Sequence, residues 1–180
     1  MEKIVLGIDP GTNILGYGII LSKNNQIEVI YCDILSLKKI DDSFTRLKKI
    51  FEFIVNVIDK YKPDELAIES QFYGKNVQSM LKLGRAQGVA ISAALHRELP
   101  IFEYSPKKIK QSITGNGNAS KEQVSGMLKS LFNYDFADKP LDATDAVAVA
   151  VCHCFQNKIN HKKTYSNWKS FLSKNPDRIV

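Results

Sequence analysis

The hydrophobic period of this chain changes at Ser43, and that change limits the fold more than any other feature. Before it, apolar residues come in short extended runs at residues 3–8, 16–21 and 27–32. The first run ends in Asp9-Pro10-Gly11-Thr12, where Pro fixes φ and Gly permits a positive one, so a strand is followed by a turn. The polar stretch at 22–26 between the other two suits a hairpin connection. From Ser43 onward, Phe44, Leu47, Phe51, Ile54, Ile58 and Tyr61 recur at steps of three and four, which places them on one helical stripe.

Pro63 closes that helix, and the apolar run 65–69 reads as a buried strand. A helix is predicted over 77–99, with Gly84, Gly88 and Ser92 four apart on a stripe of small residues, ended by Pro100. A strand at 101–104 follows. Ser105 with Pro106 marks a helix start, 114–118 is a loop, and Ser120 with Gln123 forms a capping box for the next helix. The last element begins at Asp142; its apolar run exceeds ten residues, so it reads as a helix that Asp142 can cap. A three-stranded antiparallel meander followed by alternating helices and strands predicts an α/β domain: a mixed sheet with helices on both faces.

With 180 residues, one domain is expected, over 1–157. Residues 158–180 read as a polar, basic tail in which Trp168 and Phe171 are isolated aromatics. The first apolar run is too short for a signal segment, and the apolar stretch 143–155 carries Asp145, so neither secretion nor membrane insertion is expected. Three cysteines, Cys32, Cys152 and Cys154, make no even framework and suit a reducing cytoplasm. Cys152-His153-Cys154 are successive on one helix and point apart, so they read as core and not as a zinc site. The formal charge of +6 allows a polyanionic partner without naming one.

Chemistry enters through the carboxylates. Asp9 and Glu69 end apolar strands, and in open α/β sheets ligand sites gather beyond the strand C-termini. Asp142 and Asp145, three apart at a helix start, share a face. Four acids with no His or Cys among them favour Mg²⁺ or Mn²⁺, because clustered carboxylates repel unless cations hold them. Two such ions roughly 4 Å apart would bracket a phosphodiester for hydrolysis. Taken singly, these acids also suit turn and cap positions. Lys107, Lys108 and Lys110 suit a solvated helix face. Lys121 is more informative: at its helix N-terminus a cation opposes the macrodipole, which points to another use, such as holding a phosphate. Phe72 and Tyr73, with Lys75 close by, follow Glu69 in a loop; their rings either pack on the loop base or stack on bases.

Four motifs occur in order: Gly7-Ile8-Asp9-Pro10-Gly11-Thr12; Ala67-Ile68-Glu69; the run 81–90, Leu-Lys-Leu-Gly-Arg-Ala-Gln-Gly-Val-Ala; and Asp142-Ala143-Thr144-Asp145-Ala146 with Cys152-His153. Together they resemble the RuvC family of Holliday junction resolvases over residues 3 to 157. The resemblance implies a ribonuclease H-like fold, Mg²⁺-dependent cutting, and a homodimer that nicks four-way junction DNA symmetrically. It implies RuvA and RuvB branch-migration proteins as partners. By motif position, Asp9, Glu69, Asp142 and Asp145 match the family's metal-binding acids, Phe72 its junction-probing aromatic, and Lys110 and Lys121 its basic cleavage residues. The helix carrying Gly84 and Gly88 matches the one that builds the dimer.

Two alternatives stand beside this reading. The first motif also resembles the phosphate hairpin of actin-like and sugar-kinase ATP-binding domains, although a single such hairpin occurs here and those enzymes need a second domain. A module that grips branched DNA without cutting it is the other, and the complete acid set disfavours it.

Overall fold

The computed structural model describes residues 2–24, 26–71, 76–136 and 138–160, with side chains described through residue 156. The first third forms the expected meander: β1 (Glu2–Asp9), β2 (Ile14–Lys23) and β3 (Gln26–Ser36) pair antiparallel, with a bulge between Ile19 and Ile20. Strand β4 (Glu65–Glu69) adds parallel to β1, and β5 (Ile101–Tyr104) parallel to β4. The five-stranded order is β3-β2-β1-β4-β5. Strand β1 therefore lies centrally, and its C-terminus opens next to that of β4.

Because strand side chains alternate, this sheet feeds two cores. Leu6, Ile8, Leu66 and Ile68 point to one face, against α1 (Ser43–Tyr61) and α2 (Val77–His96). Val5, Ile20 and Ala67 point to the other, against α3 (Pro106–Thr114), α4 (Lys121–Leu131) and α5 (Leu141–Asn160). Asp42 caps α1 by accepting from the Thr45 backbone N–H, and the left-handed Lys62 ends it. The buried stripe of α1 is Ile50, Ile54, Val57 and Ile58. Phe44, assigned to that stripe by its spacing, lies in the first turn and is 73% exposed, outside the part of the helix that is buried.

Helix α2 stops at His96, three residues short of the expected end; Arg97 caps it and Glu98 turns with φ 56°. Ser105 caps α3 with Pro106 in its first turn, and the Ser120–Gln123 capping box opens α4, both as the sequence predicts.

Helix α5 crosses the sheet at a distance only glycine allows. A Cβ on Gly7 would stand 2.1 Å from the Ala146 carbonyl oxygen, and one on Gly16 would stand 2.0 Å from that of Asp142. Gly16 is the cross-strand partner of Asp9, so this approach delivers the start of α5 to the end of β1. The helix begins at Leu141, so Asp142 lies in the first turn and is not the cap expected of it. It runs through residue 157 to Asn160. Cys152, His153 and Cys154 are buried in the core, as their spacing predicts. Among the described residues, no helix is long and apolar enough to cross a membrane.

Candidate active site

Parallel pairing of β1 with β4 puts Ile8 opposite Ile68, so Asp9 and Glu69, each the next residue, emerge side by side at one edge of the sheet. Asp142 and Asp145 come over the same edge from the first turns of α5. Carboxylate oxygens of Asp9, Asp142 and Asp145 lie within 4.8 Å of one another. Glu69 is not one of that trio, but it lines the same cleft of about 180 Å³, together with Asp9 and Asp145. Ile109, Val124 and Ala148 make the apolar wall of this cleft.

This crowding shows in the electrostatics. Burial, then the charges of Glu69, Asp145 and Asp142, push Asp9 up to about 8. Burial and then Asp145 push Glu69 up to about 7. Asp145 is also raised, chiefly by burial, although Lys121 opposes the shift. Such a set cannot ionise fully unless positive charge is supplied. Its donors are all carboxylate oxygens, the ligand chemistry of a hard divalent cation.

Part of that charge comes from the chain itself. Lys121 Nζ lies 2.5 Å from Asp145 Oδ2 and 3.3 Å from Asp142 Oδ1. Burial works against the lysine's charge, but these pairs and the nearby Asp9 raise its pKa on balance. Its position at the N-terminus of α4 is thus explained by the acids it faces. Lys110 lines the cleft from α3. Lys107 does not: it is exposed, and its chain packs where a Cβ on Gly117 would fall, backing the 115–118 loop. Lys108 stands 5.3 Å over the Tyr104 ring. Phe72, Tyr73 and Lys75 lie outside the described residues.

Two contributors went unread in the sequence. Arg46, on α1, donates to the Thr12 carbonyl at 3.3 Å, to Asn13 Oδ1 at 2.7 Å and to the Ile40 carbonyl. It thereby ties the turn after Asp9 to the entry of α1. No period or motif marks this arginine, because its partners are mostly backbone atoms. His153 belongs to the fourth motif, yet it sits at the opposite end of β4 from Glu69. Its ring bridges Tyr104 Oη at 2.7 Å and Glu65 Oε2 at 2.8 Å, and Glu65 also pairs with Lys3. This buried network joins α5 to β4 and β5, the elements whose relative placement sets the cleft.

A family model described as crossover junction endodeoxyribonuclease RuvC matches residues 5–153. The RuvC of Cytophaga hutchinsonii is 55% identical over 179 residues, covering 99% of this chain and 89% of its own. That of Bacteroides fragilis is 52% identical over 181 residues, covering 99% and 96%. Among solved structures, T. thermophilus RuvC in complex with Holliday junction substrate superposes with a TM-score of 0.80 at 27% identity, covering 88% of this chain and 96% of that one. The yeast mitochondrial Holliday junction resolvase Ydc2 shares the fold, with a TM-score of 0.65 at 17% identity over 88% of this chain and 80% of its own.

Proposed function

Because the chain belongs to the RuvC family of crossover junction endodeoxyribonucleases, we propose that its acid cluster cuts four-way DNA junctions, with Asp9, Glu69, Asp142 and Asp145 as catalytic cation ligands. The fold is ribonuclease H-like, and the chain is a DNA-acting nuclease of recombination and repair. The observation that carries the assignment of residues is the convergence of Asp9, Asp142 and Asp145 within 4.8 Å, beside a cleft that Glu69 also lines.

Two Mg²⁺ ions, with Mn²⁺ as a substitute, suit these oxygen ligands; when bound they supply an activated water and neutralise charge during displacement at phosphorus. The acids hold and space the cations. Lys110 and Lys121 stand where a scissile phosphate would add negative charge. Phe72, Tyr73, Lys75 and Lys107 are assigned to DNA contact, the aromatics by stacking and the lysines by phosphate pairing.

Holliday junction DNA is the partner in the T. thermophilus complex, and that supports the same substrate here. A homodimer would present two identical sites to a two-fold junction. The exposed side of α2 supports such an interface: Val77 is 64% and Leu81 55% exposed, and among the described residues nothing lies within 4 Å of a Cβ on Gly84 or Gly88. RuvA and RuvB are the branch-migration partners in this reading, the cytoplasm its compartment, and residues 1–157 the nuclease domain before the tail at 158–180.

The test is incubation of the purified protein with a labelled four-way junction and a matching linear duplex, each with Mg²⁺ and with EDTA. Paired, metal-dependent nicks confined to the junction are expected. Tight junction binding without nicks would favour the non-cleaving module instead.

A further inference from the structure

A second lysine stands at a helix start, where its charge opposes the macrodipole. Lys139 lies two residues before α5, and the residue between, Pro140, has no polar side chain with which to cap the helix. In the first turn the Pro140 carbonyl accepts from the Ala143 N–H at 3.0 Å and from the Thr144 N–H at 3.4 Å. The start of α5, which carries Asp142, therefore draws its placement from contacts outside the helix.

Those contacts lie on the edge strand β3. Lys139 Nζ is 3.5 Å from Asp33 Oδ2 and 5.0 Å from the centre of the Tyr31 ring. Asp33 is itself held in place: its Oδ2 accepts from the Tyr31 hydroxyl and its Oδ1 from the Ile34 N–H, each at 2.9 Å. Burial opposes its charge, but these donors and Lys139 together hold its carboxyl below the ordinary value. The lysine and carboxylate are 24% and 36% exposed, so water and salt screen them less than a free surface pair. A second tie joins β3 to the stretch that leads into α5, because the Tyr134 hydroxyl accepts from the Cys32 N–H at 3.3 Å. Ile34 pairs with Gly16, over which the Asp142 carbonyl rests, so this anchor sits beside the point where α5 meets the sheet.

We propose that Asp33 and Lys139 are positioning residues for the cation site: their ion pair, with Tyr31, sets where α5 begins and so holds the Asp142 carboxylate within 4.8 Å of those of Asp9 and Asp145. They act through the helix start, which Lys139 precedes and Asp142 immediately follows. The inference rests on the reading of Asp142 as a cation ligand. Position and net charge have separable effects here. Asp33→Asn removes a negative charge and Lys139→Met a positive one, so an effect of net charge would weaken cation binding in the first and strengthen it in the second. Loss of position weakens it in both.

Mn²⁺ binding is read by calorimetry and four-way junction cleavage by Mg²⁺ titration, on full-length protein whose folding circular dichroism verifies, with Asp142→Asn as the control for the site itself. Asp33→Asn and Lys139→Met are each expected to lower Mn²⁺ affinity about tenfold and to raise the Mg²⁺ concentration for half-maximal cleavage by the same factor, the scale of partners that orient metal ligands. The double variant is expected to be no worse than either single one, because both remove the same interaction. Lys139→Arg, which keeps the charge, is expected to bind Mn²⁺ within about twofold of wild type. Opposite shifts in the two single variants, or Mn²⁺ affinity unchanged in both, would overturn the proposal. So would cleavage lowered alike at every Mg²⁺ concentration with affinity kept, which makes the pair a support of the fold alone. Mn²⁺ affinity indifferent to Asp142→Asn would instead overturn the cation-ligand reading, and the proposal with it.

Discussion

Lys121 Nζ lies 2.5 Å from Asp145 Oδ2, an ion pair that closes the gap between α4 and α5 over the acid cluster. On the proposed reading, a divalent ion held by Asp142 and Asp145 would share their oxygens with this ammonium, and the two would compete. Lys121→Met is expected to tighten Mn²⁺ binding several-fold by calorimetry. It is also expected to slow junction cleavage about 100-fold, the scale of losing one charge stabiliser at a reacting phosphate. Unchanged cation affinity would show that the pair is incidental to metal binding.

The raised acids predict a pH dependence of stability. In the folded, metal-free protein Asp9 is pushed up to about 8 from its ordinary 3.8, and Glu69 up to about 7 from 4.5. The folded state thus holds these protons more tightly than the unfolded chain does. Their contribution to stability is full below the unfolded values and declines as pH rises from about 4 to about 8. Thermal melts in EDTA are expected to show this group's loss of stability across that window. Mg²⁺ or Mn²⁺ is expected to restore more at pH 8 than at pH 6, because protons compete with the ion at the lower pH. A metal-induced gain independent of pH would argue against binding at these carboxylates.

Glu69→Gln separates chemistry from grip. Glu69 lines the cleft at the end of a short, fully paired strand, and its amide counterpart has nearly the same shape, so the fold is expected to survive. Removing one ligand charge is expected to lower Mg²⁺-dependent cleavage by at least about 100-fold. Junction affinity in a gel-shift assay is expected to hold within a few-fold. Loss of both together would instead make Glu69 a structural residue.

Local rules made the elements and the acid edge readable. Strand-ending Asp9 and Glu69 had to meet once β1 and β4 paired in parallel, and the capping pairs Ser105–Pro106 and Ser120–Gln123 mark their helices without tertiary help. Relations that depend on three-dimensional proximity were not readable. The periodicity of α1 includes Phe44, but only packing reveals that the first turn leaves it exposed. Gly7 and Gly16 look like ordinary strand residues until α5 lies on them, and that contact is what carries Asp142 to Asp9. Arg46 acts on backbone carbonyls, which leave no trace in a one-dimensional pattern. The pairing of Lys121 with Asp142 and Asp145 spans more than twenty residues of sequence, so position on its own helix pointed outward to phosphate when the nearest charges lay within the chain.

Helix α2 supplies the last prediction. Val77, Leu81, Gly84, Gly88 and Leu95 fall on one side of it, and Val77, Leu81 and Leu95 are 64%, 55% and 61% exposed. A Cβ at Gly84 or Gly88 would meet nothing within 4 Å among the described residues. Within the single chain, Gly88→Ala would therefore stabilise the helix, by up to about 1 kcal/mol, because glycine is the poorer helix former. Small residues along an exposed apolar stripe matter only if a second backbone approaches there. Gly84→Leu is then expected to leave the protomer folded, shift the protein from dimer to monomer in light scattering, and turn paired nicking of a four-way junction into single, uncoupled nicks. A dimer unaffected by leucine at position 84 would move the interface off this face of α2, whatever the cutting activity.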